Sequence, residues 1–510
     1  MSVELSGSGL AGADVVAVAR EDATVVLAPA ARAAMAECAA IVSRLTSSDT
    51  PAYGVTTGFG SLANTWIAAD RRGELQRALV RSHAAGMGPP VEREVVRAMM
   101  LLRARTLAMG RSGARPEVAE AILALLNSGL TPVVPEHGSL GASGDLAPLA
   151  HCALALIGEG ELQAPGGAVV EAGAALAGAG VEPLALTAKE GLALTNGTDG
   201  MLGMLVMALA DVELLVRTAD VTAAMSVEAL LGTDRVFAED LIALRPQPGQ
   251  AGSAANLRAV LAGSPIVASH REGDSRVQDA YSLRCTPQVH GAVRDTLAHA
   301  GRVAASELCS AIDNPMVLPD GRIESCGNFH GAPVALACDF LAIAVAEAGA
   351  IAERRTDRLL DAARSYGLPP FLSEDAGVNS GLMLAHYTQA AMVAENRRLA
   401  APASVDSLPT SAMQEDHVSM GWGAARKLRM AVANLARILG VELTCAAHAI
   451  DLRAPLEPGA GTAAALGAVR TRIAGPGPDR FLAPELAAAE ELVRSGAIVA
   501  AAEAAIGPLA

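Results

Sequence analysis

Residues 334–351 read VALACDFLAIAVAEAGAI, an apolar stretch that only Asp339 and Glu347 interrupt. A helix this apolar has no solvated face, so we expect it to be an inner member of a helix bundle. Alternating strand patterns with hairpin turns are scarce in the rest of the chain. The pattern predicts a mainly α fold with little β structure, built around a long central helix bundle. Apolar residues recur at three- and four-residue intervals in the segments 91–109, 116–126, 191–216, 288–310, 333–360, 382–399 and 420–452.

The composition excludes several classes of protein. The 510 residues are 51% hydrophobic and 18% charged, far from the profile of a disordered chain. The net charge of −15 gives an acidic surface that repels phosphate and anionic lipid, so we expect neither nucleic acid nor a membrane as a partner. Among the uncharged runs, none supplies the roughly 20 apolar residues of a spanning helix, and the N-terminal sequence does not resemble a secretory signal. We therefore expect a cytoplasmic protein.

The cysteines and histidines do not show the spacing of a metal site. The seven cysteines are dispersed, odd in number and free of a C-x-x-C pair, as is typical of reduced thiols. No H-E-x-x-H pattern occurs, and Glu415-Asp416-His417 is the densest local cluster. The sequence predicts no metal.

Polar loops with glycines separate the predicted helices, and such loops on a rigid scaffold usually carry catalytic groups. We therefore expect catalytic loops at the helix ends. Residues 475–478 read GPGP and make a stiff break before the last predicted helix. We predict one catalytic helical-bundle unit over residues 1–455, which includes the loop-rich N-terminal part, and a C-terminal helical extension of the same body over residues 456–510.

The loop at residues 138–151 reads GSLGASGDLAPLAH and is the most informative of these segments. Its glycine spacing matches neither G-x-G-x-x-G nor G-x-x-x-x-G-K-[ST], and no strand pattern precedes it, which argues against a phosphate loop. A tight turn with Asp145 as the N-cap of the next helix and Pro148 in its first turn is another interpretation. Neither interpretation requires Ala142-Ser143-Gly144.

Ala142-Ser143-Gly144 resembles the self-processing tripeptide of the aromatic amino acid ammonia-lyases, and the surrounding motif is close to that of the histidine ammonia-lyases. The resemblance implies that the Gly144 nitrogen attacks the Ala142 carbonyl carbon and that two waters leave. The product is a 4-methylidene-imidazol-5-one group, with no external cofactor. Gly144 lacks a Cβ that would hinder the turn, and Ser143 supplies the hydroxyl that is eliminated. Matching blocks occur in family order over residues 52–453: YGVTTGFG (53–60), RSHAAG (81–86), TNGT (195–198), QDAYSLRC (278–285), DNP (313–315), GNFHG (327–331) and QEDHVSM (414–420).

The resemblance implies catalytic roles for two tyrosines and a carboxylate clamp. Tyr53 resembles the base that removes the β-proton of the substrate, so its pKa, ordinarily near 10, has to fall. Arg284 resembles the clamp on the substrate carboxylate, since its planar fork matches a carboxylate. Tyr281, Asn196 and Gln278 resemble residues that hydrogen-bond the prosthetic ring and the amino and carboxyl groups of the substrate. Each of these three could otherwise be a turn or cap residue.

His83 and Glu415 bear on the choice of substrate. Phe329 resembles a residue of the pocket wall, and ordinary core packing is the alternative interpretation. His83 and Glu415 resemble the pair that holds an imidazole, whose two ring nitrogens need a carboxylate and a second polar partner. A buried carboxylate that faced a benzene ring would lack a partner. The resemblance therefore implies L-histidine as the substrate and Glu415 as a catalytic residue.

The implied reaction is the non-oxidative elimination of ammonia from L-histidine to trans-urocanate by a homotetramer. A tyrosine or phenylalanine ammonia-lyase is the nearest alternative, and Glu415 argues against it. A 2,3-aminomutase, which returns the ammonia to the β-carbon, remains open. The fumarase group has a similar helical fold, but its G-S-S-x-M-P-x-K-x-N loop is absent. A silent helical scaffold is the non-enzyme alternative.

Overall fold

The computed structural model describes residues 2–46 and 53–510. Met1 and residues 47–52, which the predicted catalytic unit includes, lie outside the described residues. The chain is 59% helix and 7% strand, which confirms the predicted mainly α fold with little β structure.

The chain forms two compact units. The first unit comprises Met1–Met207, Gly301–Asp339 and Pro402–Arg426, and the second comprises Ala208–Ala300, Phe340–Ala401 and Lys427–Ala510. The division at residue 455 that the sequence suggests stays a prediction.

The first unit contains short helices together with the small sheets. Its strands, in chain order, are β1 (Ser2–Leu5), β2 (Thr24–Leu27), β3 (Met87–Pro90), β4 (Thr131–Pro132), β5 (Pro135–His137), β6 (Glu161–Gln163), β7 (Val169–Glu171), β8 (Met316–Val317) and β9 (Ile323–Glu324). β1 and β2 pair in parallel, whereas the sheets β3–β5, β4–β6–β7 and β8–β9 are antiparallel. The helices wholly within this unit are α1 (Gly12–Arg20), α2 (Pro29–Thr46), α3 (Arg72–His83), α4 (Arg93–Ala108), α5 (Pro116–Asn127), α6 (Leu146–Leu156), α7 (Ala172–Gly178) and α8 (Glu190–Thr195).

The longest helices contribute residues to both units, and the remaining helices belong to the second. The long helices are α9 (Asp199–Ala229), α14 (Thr286–Leu308), α15 (Ala332–Leu360) and α17 (Gly421–Asp451). The helices of the second unit are α10 (Glu239–Ala243), α11 (Pro248–Leu261), α12 (Pro265–Ala268), α13 (Tyr281–Arg284), α16 (Met383–Leu399), α18 (Ala460–Arg470), α19 (Ala483–Arg494) and α20 (Ala497–Ile506).

Each segment with the predicted periodicity is helical, but one of them is divided, and the helices α1, α2, α3 and α11 lie outside those segments. The segment predicted as one helix over 191–216 is instead divided: α8 ends at Thr195 and α9 begins at Asp199. Arg103 accounts for part of this break, because its Nη1 donates to the Asn196 carbonyl oxygen (2.7 Å) and would lie 2.6 Å from a Cβ at Gly197. Near the C-terminus the single predicted helix is also two, α19 and α20, which Gly496 separates at a positive φ of 75°.

The most apolar helices, α15 and α17, are core helices. By length and composition alone both could cross a membrane, but 72% and 83% of their most apolar windows are buried inside the protein. Within the second unit, Arg355 forms a fully buried ion pair with Glu442, whose carboxylate also accepts hydrogen bonds from Thr222 and Ser226. Burial without such partners would be costly for either charge.

Candidate active site

The loop that carries Ala142-Ser143-Gly144 forms hydrogen bonds with residues at the starts of two long helices. The N–H of Met420, just before α17, donates to the Leu140 carbonyl oxygen (2.8 Å), and the Ser419 hydroxyl donates to the Gly141 carbonyl oxygen (3.1 Å). The N–H of Asp145 donates to the carbonyl oxygen of Gly197, just before α9 (2.7 Å). The positive ends of these helix dipoles therefore lie next to the tripeptide.

Gly144 occupies a position that admits only glycine. Its φ is +75°, and a Cβ there would lie 2.1 Å from the carbonyl oxygen of Gly197. The structure thus shows the tight turn and the missing Cβ on which closure of the tripeptide into a ring depends. The residues present fit a 4-methylidene-imidazol-5-one group.

The Ser143 hydroxyl contacts a buried polar network. Its Oγ donates to Oδ1 of Asn196 (2.6 Å), and Nδ2 of Asn196 donates to Oδ1 of Asp313 (3.1 Å) and to the Asn314 carbonyl oxygen (2.8 Å). Oδ2 of Asp313 accepts a hydrogen bond from Nζ of Lys189 (2.8 Å). The motifs TNGT and DNP, more than a hundred residues apart in sequence, thus meet at Ser143.

Asp145 precedes α6, but its side chain does not cap that helix as the sequence suggested. Its Oδ2 instead accepts hydrogen bonds from the N–H groups of Gly200 (3.0 Å) and Met201 (2.9 Å), in the first turn of α9. Its Oδ1 accepts a hydrogen bond from Ser139 Oγ (2.9 Å). Burial raises the pKa of Asp145 to about 7, although the Met201 N–H and the Ser139 hydroxyl favour the charged form.

Tyr53 and Glu415 lie close to one another around Gly60. The N–H of Gly60 donates to Oη of Tyr53 (3.0 Å), and Oε1 of Glu415 would lie 3.7 Å from a Cβ at Gly60. Burial raises the pKa of Tyr53, and the negative charge of Glu415 raises it further, whereas the Gly60 N–H opposes both effects. These described neighbours thus shift the pKa opposite to the direction that a base requires. Oε2 of Glu415 is buried and finds no hydrogen-bond partner within residues 2–46 and 53–510.

His83 and Phe329 belong to the same unit as the tripeptide. His83 ends α3 and is half-buried, with Nδ1 3.1 Å from the Ser82 hydroxyl. Burial lowers the pKa of His83, which favours a neutral imidazole at neutral pH. Phe329 is partly buried, and the ring of the next residue, His330, stacks on His417 with centroids 5.7 Å apart.

Gln278, Tyr281 and Arg284 belong to the second unit, so the structure does not gather them with the first-unit residues into one compact unit. Gln278 is exposed, and Tyr281 at the start of α13 is 71% exposed. The Arg284 guanidinium lies over the Tyr281 ring, 4.6 Å from its centroid. Nε of Arg284 is buried with no hydrogen-bond partner in the described part of the chain. A buried donor of this kind is suited to an anionic ligand.

The cysteines and the acidic and histidine side chains are the groups that could bind a metal ion. All seven cysteines are free thiols. Across the residues that the structure describes, no three His, Cys, Asp or Glu side chains are grouped so as to hold a metal ion.

Lys189 is the residue of the network that sequence reasoning missed, whereas Asp313 was named only within the motif DNP. Lys189 and Glu190 are the charged residues of the otherwise uncharged segment 183–198, and both are buried. A lysine at the head of an apolar segment is ordinarily solvated. The feature of the sequence that could have identified Lys189 is therefore its charge within an apolar segment, seven residues before Asn196.

Comparison with known proteins defines the class to which this fold and loop belong. The family model described as aromatic amino acid lyase matches residues 10–471. A histidine ammonia-lyase from Streptomyces coelicolor is 62% identical over 509 residues, which cover 100% of this chain and 99% of that protein. The chain belongs to the aromatic amino acid lyase family, whose members use a methylidene-imidazolone group.

Two solved structures are similar over nearly the whole chain. A tyrosine aminomutase from Streptomyces globisporus has a TM-score of 0.93 at 38% identity and covers 99% of both chains. A histidine ammonia-lyase from Trypanosoma cruzi has a TM-score of 0.91 at 39% identity, over 99% of this chain and 96% of that one. The fold is thus common to relatives with different reactions, and the reaction must be argued from the site.

Proposed function

We propose that the protein is a histidine ammonia-lyase, which eliminates ammonia from L-histidine to give trans-urocanate. The observation that carries this choice is the half-buried Glu415 side chain beside Tyr53, whose buried Oε2 lacks a partner among the described residues, in the unit that holds the tripeptide. An imidazole N–H would satisfy that oxygen, whereas a benzene ring would leave it unpaired. The full-length identity of 62% to a histidine ammonia-lyase supports the same reaction.

Ala142, Ser143 and Gly144 form the prosthetic group in this proposal. The group supplies an electrophile for the substrate amine and thereby makes ammonia a better leaving group. The positive φ of Gly144, the close approach of Gly197 and the Ser143 hydroxyl held by Asn196 support the assignment. No external cofactor is required.

The chain's own residues bind the substrate and move its proton. Oη of Tyr53 accepts the β-proton, and the Gly60 N–H that donates to Oη stabilises the phenolate. Glu415 accepts a hydrogen bond from the imidazole, and His83, kept neutral by burial, is its second polar partner. Phe329 forms a wall of the substrate site. Asn196 hydrogen-bonds the tripeptide from its buried side.

Gln278, Tyr281 and Arg284 complete the site in a homotetramer. Arg284 clamps the substrate carboxylate through its planar guanidinium, which Tyr281 orients, and Gln278 hydrogen-bonds the amino or carboxyl group. The exposure of Tyr281 and Gln278 supports a site that includes another copy of the chain. On α15 the apolar side chains of Leu336, Phe340 and Ile343 are likewise exposed, as expected for a helix that packs against a second subunit.

The free thiols support a cytoplasmic location for the protein. We also retain the division into a catalytic bundle over residues 1–455 and a helical extension over residues 456–510. The end of α17 at Asp451 and the start of α18 at Ala460, on either side of this boundary, support the division.

A 2,3-aminomutase is the second candidate, because the tyrosine aminomutase structure is so similar. The purified protein is therefore incubated with L-histidine, L-tyrosine or L-phenylalanine. The growth of acrylate absorbance is followed, and β-amino acids are sought by chromatography. Urocanate from histidine alone, abolished by Ser143→Ala, is the expected result. Product from tyrosine alone would overturn the Glu415 argument, a β-amino acid would indicate the mutase, and silence with all three substrates would favour a scaffold.

A further inference from the structure

The amide of Asn196 has an orientation that is fixed from its buried side. Both hydrogens on Nδ2 are used, one by Oδ1 of Asp313 (3.1 Å) and one by the Asn314 carbonyl oxygen (2.8 Å). Both partners are acceptors, so the nitrogen must face them and Oδ1 must face the loop. The Ser143 hydroxyl, 2.6 Å from Oδ1, is consequently the donor in that contact.

Asp313 is held in turn by Lys189. Nζ of Lys189 lies 2.8 Å from Oδ2 of Asp313, and both side chains are 0% exposed. Oδ1 of Asp313 also accepts the N–H of Asn314 (2.7 Å), so each carboxylate oxygen has defined donors. Lys189 has a positive φ of 67°, a conformation that non-glycine residues adopt only when the surrounding fold requires it. A buried ion pair does not by itself imply a gain in stability, so Lys189 and Asp313 are candidates for a role in positioning other groups.

We propose that Lys189 and Asp313 are a positioning pair that orients the Asn196 amide and, through it, the Ser143 hydroxyl for conversion of the tripeptide. This inference rests on the proposed function. In the conversion, the Gly144 nitrogen bonds to the Ala142 carbonyl carbon, whose oxygen leaves as water with the amide hydrogens of Ser143 and Gly144. The Ser143 hydroxyl leaves as a second water with the hydrogen on its Cα. Lys189 and Asp313 touch none of these atoms and act only through Asn196.

The charge on Asp313 is what makes the orientation unique. In Asp313→Asn the new amide must present its N–H₂ either to Nδ2 of Asn196 and the Asn314 N–H or to the Lys189 ammonium. Either choice sets donor against donor. The Asn196 amide then keeps only the Asn314 carbonyl as a secure anchor, and Oδ1, the acceptor for the Ser143 hydroxyl, is less firmly oriented. In the double variant Lys189→Met/Asp313→Asn the ammonium is gone, so the new amide can turn its oxygen toward Asn196 again.

The matched control is Glu190→Gln, which changes a neighbouring carboxylate to its amide. Glu190 is 1% exposed, and its ion pair with Arg115 has N–O distances of 2.7 and 2.9 Å. It also accepts the N–H of Thr187, so its partners are Arg115 and Thr187 and not Asn196. Removal of this charge disturbs a partly buried ion pair beside Lys189 but leaves the contacts of the Asn196 amide in place.

The test measures the intact mass of the soluble full-length chain as a function of time after synthesis is stopped. The wild type and Glu190→Gln should become lighter by two waters. We expect Asp313→Asn and Lys189→Met to do so about tenfold more slowly or more, as expected for the loss of a hydrogen bond to a charged group. The double variant should recover much of the wild-type rate. Thermal melts of every variant record stability, and the absorbance of the ring provides a second readout.

If Asp313→Asn, Lys189→Met and Glu190→Gln all lost two waters completely and at the same rate, the proposal would be overturned. Lys189 and Asp313 would then have only a structural role. If Asp313→Asn does not fold, the comparison is made with the double variant. A double variant that folds but loses the two waters no faster than Lys189→Met would also overturn the proposal. A wild-type chain of full mass would refute the assignment of the prosthetic group, and the present proposal with it. Slow conversion in the variants alone concerns only the positioning pair.

Discussion

Glu415→Gln tests the choice of substrate directly. The change keeps the size and shape of the side chain but removes the charge from Oε2, a buried atom without a partner among the described residues. A hydrogen bond from an imidazole N–H to a carboxylate is charge-assisted and contributes about 1.5–3 kcal/mol. Because each 1.4 kcal/mol or so is tenfold, kcat/KM for histidine should fall about 10- to 150-fold.

The assay is the initial rate of urocanate absorbance over a range of histidine concentrations, at several pH values. Glu415 raises the pKa of Tyr53, so the amide variant should lower that pKa and move the rising limb of the kcat/KM profile to lower pH. Asp416→Asn, an exposed neighbouring carboxylate, is the control and should change kcat/KM little. A Glu415→Gln enzyme that keeps kcat/KM within threefold of wild type would refute the reasoning. So would equal losses in the two variants.

Three further predictions concern the loop and the core. Gly144→Ala should cost about 2–6 kcal/mol in the free energy of unfolding, measured with urea, and should leave the tripeptide unconverted by intact mass, because its Cβ would overlap the Gly197 carbonyl. Arg355→Met leaves the buried Glu442 charge without its cation, so we expect a loss of about 3–5 kcal/mol in the same assay at fixed protein concentration. The raised pKa of Asp145, about 7 against an ordinary value near 3.9, means that stability present at acid pH is lost as the pH rises through about 7. Asp145→Asn removes this loss, so urea unfolding should show the variant gaining on the wild type between about pH 4 and about pH 7, and an unchanged difference would contradict the pKa.

The sequence predicted the parts of the fold that depend on local periodicity. The apolar segments at 333–360 and 420–452 are the helices α15 and α17 to within a residue or so. The division into two units was not predicted, because periodicity reports which face of a helix is buried and not which helices share contacts. The break at Asn196 was not predicted either, because Arg103, which accounts for part of it, lies 93 residues earlier in the chain.

The same limit applies to the candidate site. The residues that contact the tripeptide were named from motifs, and Asn196 does meet Ser143. Behind them, Asp313 was reached only as part of the motif DNP and Lys189 was missed, because the two residues are 124 positions apart and only folding buries them together. Asp145 shows the complementary error: its position next to α6 suggested a cap for that helix, but the chain also brings α9 within reach of its carboxylate. Local sequence cannot choose between two helix starts.

In the proposed function the electrophile is formed from the chain itself. Substitutions of residues that hold the loop should therefore change different kinetic parameters from substitutions of residues that hold the substrate. A change at Asp313 or Gly144 lowers the fraction of chains that are converted, so apparent kcat falls while KM, measured on the converted chains, stays the same. A change at Glu415 acts on every converted chain, so kcat/KM falls while the mass remains two waters light. Intact mass and steady-state kinetics together therefore separate the two groups of residues. Asn196, which contacts both the tripeptide and the buried pair, is the residue expected to show both effects.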